Sequence, residues 1–156
     1  MEYCSPVNPS ARVRSDITGT FLVDPSLYLP TNSFPILLPL DGIVIQTVIP
    51  KWLPKIQDWN SHFQISAKTG YNMMHFAPLQ KRGSSDSPYS IYDQLSFDDE
   101  YFESDKLTNH EKNEIMGQAL LDLENQYNIL PVTDVVWNHT ANNSRWLKEH
   151  PESGFK

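Results

Sequence analysis

The stretch that most limits what this chain can fold into is Leu130 to Ala141, LPVTDVVWNHTA. It is short, apolar and rich in β-branched residues, carries one carboxylate inside it, and ends on Asn138, His139 and Thr140. A buried parallel strand reads this way when it delivers polar side chains to a site at its carboxyl end. Parallel strands need crossovers, so the flanking sequence must supply helices.

It does. From Asp41 the run GIVIQTVI, closed by Pro50, reads as a first core strand buried on both faces. Trp59, Phe63 and Ala67 recur every four residues within Asp58–Lys68, and Gly70 follows as a left-handed cap, which predicts a helix. Tyr71 to Leu79 (YNMMHFAPL) reads as a second core strand. Gln80 to Asp105 reads as a long polar loop whose acidic run, Asp98 to Glu103, lies in solvent. Thr108 and Glu111 form a capping box for a second helix, with Ile115, Ala119, Leu123 and Tyr127 on its apolar face and Asn128 as its end. Ile129–Trp137 is the third strand, and SRWLKEH predicts a short helix stopped at Pro151. This alternation is an α/β layout.

Ahead of it, Met1 to Ser15 has neither helical nor strand period and reads as a loose arm, Thr20 to Val23 as a short strand, and Pro30, Pro35 and Pro39 as loop punctuation. Residues 1–40 are therefore expected to be an arm with a short β/loop extension, and residues 41–156 the folded unit.

Twelve basic against 19 acidic residues give a net charge of −7, which argues against nucleic acid, whose affinity rests on Lys and Arg neutralising phosphates. A neutral or polyhydroxyl ligand suits it better. The single cysteine, Cys4, makes neither an intrachain disulfide nor a zinc site, and a cytoplasmic location is the default. No apolar run nears the roughly 18 residues of a membrane span, and no signal peptide is recognisable. No histidine pair has metal-ligand spacing, so no metal or other cofactor is expected. The turn PKWLPK after the first core strand lacks the glycines that would cradle a nucleotide phosphate.

Alternation places Leu130, Val132, Asp134, Val136 and Asn138 on one face of the third strand, with Trp137 on the other, against a helix. On residue chemistry alone, Asp134 is a paired structural carboxylate and Asn138 and His139 are turn residues. His75 reads as a hydrogen-bonded core residue, and His62, His110 and His150 as solvated.

TDVVWNH resembles the first signature region, D-V-V-x-N-H, of the α-amylase family. More narrowly, FLVDPSL, LDGIVIQTVIPKWLPKIQDW, GYNMMHFAPLQKRG, SPYSIYDQL and TDVVWNHTANNSRWLKEHPE together are similar to the eukaryotic glycogen debranching enzymes, in their glucanotransferase part. The resemblance implies the N-terminal part of a (β/α)8 TIM barrel, about three strands of it and incomplete, with sites at the carboxyl ends of the strands. It implies transfer of α-1,4-linked maltooligosaccharide segments on glycogen or another branched α-glucan, beside an α-1,6-glucosidase in the full-length protein. On this resemblance His139 donates to the sugar on the nonreducing side of the scissile bond and Tyr89 is the aromatic platform under the same sugar. Asn138 organises the loop, with no carboxylate cluster to support calcium, and Asp134 is structural. The family's catalytic carboxylates lie on later strands, so no catalytic residue is expected here, and the chain is expected to be truncated, inactive and poorly soluble alone. The alternative is a non-catalytic glucan-binding fragment. Neither reading names a protein partner. Pro131 departs from the pattern at the start of the third strand, where a missing N–H is tolerated.

Overall fold

Two left-handed residues punctuate the chain where helices hand over to strands: Gly70 (φ 95°) and Asn128 (φ 54°). The computed structural model describes residues 26–30 and 34–154, and the backbone of 2–4 and 12–14. In order, the elements are strands β1 (Glu2–Cys4), β2 (Arg12–Arg14), β3 (Leu27–Leu29), β4 (Ile36–Leu38) and β5 (Ile45–Val48), helix α1 (Trp59–Thr69), and strands β6 (Met73–Phe76), β7 (Gln80–Arg82) and β8 (Ile91–Phe97). Helix α2 (Asn109–Tyr127), strand β9 (Leu130–Thr133) and helix α3 (Arg145–Glu149) follow.

β5, β6 and β9 form a three-stranded parallel sheet in that order, with Thr47 opposite His75 and His75 opposite Val132. The strand–helix–strand alternation is as the sequence implies. Helices α1 and α2 pack on one face of the sheet. Trp59 stacks on Phe76 at 5.8 Å, Phe63 meets Phe76 and Tyr127 edge-on, and Val48, Met74, Met116 and Leu123 complete the core. The predicted capping box is made: the Thr108 hydroxyl accepts from the Glu111 N–H, and the Glu111 carboxylate accepts from the Thr108 N–H at 2.7 Å.

Several expectations are corrected. The first core strand is not buried on both faces: Val48 is buried, whereas Ile45 and Thr47 are exposed, because the described residues cover only the helix-bearing face of the sheet. The third strand pairs only over Leu130–Thr133, so alternation does not govern Trp137, which is 90% exposed rather than packed on a helix. Ile115 is exposed at the edge of the α2 apolar face. Within residues 1–15, Glu2–Cys4 and Arg12–Arg14 pair as antiparallel strands instead of forming a loose arm. The proline-punctuated segment contains the β3–β4 antiparallel pair, with Pro30, Pro35 and Pro39 just beyond the strand ends, where no ladder donor is needed. The expected strand over Thr20–Val23 lies outside the described residues.

The largest correction concerns Gln80–Asp105, which is an antiparallel β7–β8 hairpin followed by a 3-10 turn over Asp99–Tyr101. Its acidic run is solvated only in part: Glu100 and Glu103 are exposed, as expected, but Asp98 and Asp99 are not. Asp98 is buried and accepts from Arg82 Nε at 2.9 Å, while Asp99 accepts from Lys81 at 2.5 Å and also from Lys112. The Lys112 and Arg82 side chains are only 6% and 4% exposed, so these pairs tie the hairpin to α2 from within the protein. Burial opposes charge on Asp99, but the hydrogen bonds from Lys112 and Lys81 outweigh it and hold its carboxyl below the usual range. His62, expected in solvent, has an Nε2 buried without a partner among the described residues, and burial lowers its pKa.

Candidate functional site

The parallel register sets one polar residue beside another on the face of the sheet away from the helices. Thr47 on β5 and His75 on β6 are direct partners, and Asp134 follows two residues after Val132, the β9 partner of His75. The Asp134 N–H donates to the Phe76 carbonyl at 3.4 Å, which carries the ladder one rung past β9 and aims the carboxylate at His75. His75 Nε2–H donates to Asp134 Oδ1 at 2.9 Å. A carboxylate only accepts, so Nε2 carries a proton, and in the neutral ring Nδ1, 3.3 Å from Thr47 Oγ1, is then left to accept the threonine hydroxyl.

The second oxygen of Asp134 holds Tyr89, whose hydroxyl donates to Oδ2 at 2.8 Å. Hydrogen bonds from His75 first and Tyr89 second keep the Asp134 carboxyl below the ordinary carboxylate range. The reciprocal effect is on the phenol: the bond to Asp134, then burial, push the Tyr89 hydroxyl above its usual value, so it stays a donor at neutral pH. Tyr89 follows the Ser87–Pro88 turn, where Ser87 Oγ accepts its N–H at 3.3 Å, and 44% of the residue remains exposed. One end of the side chain is thus pinned by a carboxylate while its ring remains open to a ligand.

His139 closes the group from the other side. Its Nε2–H donates to the Tyr89 carbonyl at 2.9 Å, and its Nδ1 lies 2.9 Å from the side-chain amide of Asn138. With Nε2 holding the proton, a neutral ring accepts the Asn138 NH2 at Nδ1, whereas a protonated ring donates to the amide oxygen. Either way Asn138 sets the orientation of the imidazole.

The loop carrying these residues is strapped to the hairpin. The Thr140 hydroxyl and the Ala141 N–H both donate to the Ile91 carbonyl, at 2.7 and 2.8 Å, and the Ser84 N–H donates to Asn143 Oδ1 at 3.1 Å. Gly83 allows this approach: a Cβ there would stand 2.7 Å from Asn143 Oδ1 and closer still to the Ala141 methyl. Beside His139 opens a cavity of about 820 Å³, lined in part by Asn138, His139, Trp137, Trp146, Gln94 and Asn142.

The structure therefore gathers all four residues singled out in the sequence, Tyr89, Asp134, Asn138 and His139, into one hydrogen-bonded group. It adds His75, which sequence reasoning set aside as core. A signal for it exists: Thr47 and His75 each stand three residues before a proline, in TVIP and HFAP, so the two strand ends are in phase. Among the described residues no three His, Cys, Asp or Glu side chains gather as a metal site.

Comparison with known structures defines the class first. An α-amylase from Lactobacillus plantarum superposes with a TM-score of 0.55 at 20% identity, over 72% of this chain and 26% of that one. A trehalose-6-phosphate hydrolase from Bacillus licheniformis gives 0.56 at 20% identity, over 69% and 19%. The trehalulose synthase MutB from Pseudomonas mesoacidophila gives 0.56 at 18%, over 68% and 19%. These neighbours are barrel enzymes of the α-amylase type, and the parallel sheet with its crossover helices is of that α/β class.

Sequence comparison is narrower. Residues 36–156 match the family described as glycogen debranching enzyme, glucanotransferase domain, and the glycogen debranching enzyme of Saccharomyces cerevisiae is 42% identical over 153 residues, 98% of this chain. The chain belongs to the glycogen debranching enzyme family. It spans 9% of the length of the yeast relative.

Proposed function

We propose that this chain supplies the sugar-positioning wall of a 4-α-glucanotransferase that acts on the α-1,4-linked outer segments of glycogen, in the cytosol. The observation that carries the reading is the Tyr89 ring, half-exposed at the carboxyl edge of the parallel sheet and held by Asp134 while His139 grips its carbonyl. A fixed ring face suits a pyranose, whose C–H groups are apolar, and the imidazole beside it suits the sugar hydroxyls. Sugar binding exchanges the Asn138 contact of His139 for one to the ligand.

Positioning is not turnover. Retaining glycoside chemistry uses two carboxylates about 5–5.5 Å apart. Among the described residues no Asp or Glu lines the cavity, and both oxygens of Asp134 are committed to His75 and Tyr89. On this reading the 156-residue chain binds glucan without transferring it, and the carboxylates belong to further barrel strands.

Co-sedimentation with glycogen tests the binding, with Tyr89→Ala and His139→Ala as controls. Wild-type chain in the pellet and both variants in the supernatant is the expected result; no pelleting of any form refutes the reading. Incubation with maltotriose tests the second part, since longer maltooligosaccharides among the products would show transfer and overturn the claim that the chain lacks it.

A further inference from the structure

An indole in water is unfavourable, and Trp137 is 90% exposed at the wall of the cavity that also contains His139. Trp146, half-exposed, lines the same space from α3, with its ring steadied against His150 at 5.4 Å. What surrounds the two indoles limits what they can bind. Among the described residues, no Asp, Glu, Lys or Arg lines this cavity. Its polar groups include the carboxamides of Gln80, Gln94 and Asn142, which make no side-chain hydrogen bond among the described residues and so offer both donors and acceptors.

A phosphorylated or carboxylate-bearing ligand would find no counter-charge among the described lining residues, and desolvating its charge would be costly. A purely apolar ligand would strand the carboxamides. A neutral polyhydroxyl chain satisfies both, with hydroxyls to the amides and C–H faces to the indoles. The volume of about 820 Å³ is within the range of cavities that enclose a ligand larger than one sugar ring.

We infer that Trp137 and Trp146 are glucan platforms, taking glucosyl units of an α-1,4-linked chain beyond the unit that Tyr89 and His139 hold. This rests on the glucan reading above and extends it to residues that set how long a chain is gripped. Length dependence follows: a ligand reaching only Tyr89 and His139 ignores both indoles, whereas one that also spans the cavity feels them.

The test is titration of the 156-residue chain with maltose and with maltoheptaose, read by tryptophan fluorescence and by retardation in glycogen-containing native gels. The forms compared are wild type, Trp137→Gln, Trp137→Phe, Trp146→Ala and His139→Ala. Expected are a maltoheptaose affinity lowered roughly tenfold by Trp137→Gln or Trp146→Ala, near-complete recovery in Trp137→Phe, and unchanged maltose affinity in all three. Trp137 is solvated, so Trp137→Gln leaves the far-ultraviolet circular dichroism unchanged and its loss is a loss of binding. If maltoheptaose binds Trp137→Gln and Trp146→Ala as it binds wild type while His139→Ala abolishes binding, the platform role is refuted and the glucan reading survives. If wild type binds neither ligand, both are refuted.

Discussion

Replacing Asp134 by leucine removes both acceptors that organise the site while roughly keeping the side-chain volume. The bonds lost are those from His75 at 2.9 Å and from Tyr89 at 2.8 Å. Hydrogen bonds to a charged group contribute about 1.5–3 kcal/mol each when shielded. Here the Asp134 side chain is 37% exposed and Tyr89 is 44% exposed, so water competes for all three groups and the pair together is worth about 1 kcal/mol. In a domain of this size that is a fall of about 2–4 °C in Tm. The sign with pH is fixed by the depressed folded pKa of Asp134. Its contribution is present above the unfolded value of about 3.9 and is lost as pH falls through the folded value, so the stability gap between wild type and Asp134→Leu closes in acid. Tyr89 reports the same contact from the other side: its raised pKa returns toward about 10 once the carboxylate is gone. Urea unfolding across the acid range gives the first quantity, and NMR of ring-labelled tyrosine, assigned with Tyr89→Phe, gives the second. A Tyr89 titration identical in wild type and Asp134→Leu, or a stability gap that persists unchanged in acid, would refute the argument. Asp134→Asn separates charge from geometry. The amide oxygen can still accept from Tyr89 and its NH2 can donate to His75 once the ring proton moves to Nδ1, so the fold is kept and Tyr89, which retains its acceptor but loses the neighbouring charge, titrates between wild type and Asp134→Leu.

Asp99→Ala leaves the Lys112 ammonium buried without its partner and destabilises by about 3 kcal/mol, whereas Asp99→Ala with Lys112→Met recovers most of that loss; equal urea midpoints for the two would dismiss the pair as the cause. Gly83→Ala drives a methyl into Ala141 and Asn143, so amide hydrogen exchange should speed up in the Ile91–Ala141 contact while the α2 core is unaffected; unchanged exchange there would contradict the close approach. Thr108→Ala removes the cap of α2 and should cost about 1 kcal/mol by thermal unfolding, a loss partly restored by Thr108→Asp. Trp59→Ala deletes a fully buried ring that stacks on Phe76 and should cost about 3–5 kcal/mol; a chain that still unfolds cooperatively at the wild-type midpoint would exclude Trp59 from the core.

What the amino-acid sequence determines by itself is local. Thr108 with Glu111, Gly70 and Asn128 cap helices through atoms within five residues of them, and the spacing of Trp59, Phe63 and Ala67 follows from the helical period, so these were legible without a structure. The family's signature residues were legible too, and the structure brings Tyr89, Asn138 and His139 together. Who holds whom was not. Asp134 meets His75 and Tyr89 across 59 and 45 residues of chain, and His139 reaches Tyr89 across 50. No period connects such residues; the parallel register of three strands and the strap onto the hairpin do. The same limit explains the misread loop. The β7–β8 pairing is shifted in register, and the hairpin buries its charges by pairing Arg82 with Asp98 and Lys112 with Asp99, so neither alternation nor apolar content marked it. Exposure of β5 and of Trp137 likewise depends on what lies across from them, a property of the packed molecule and not of the residues alone.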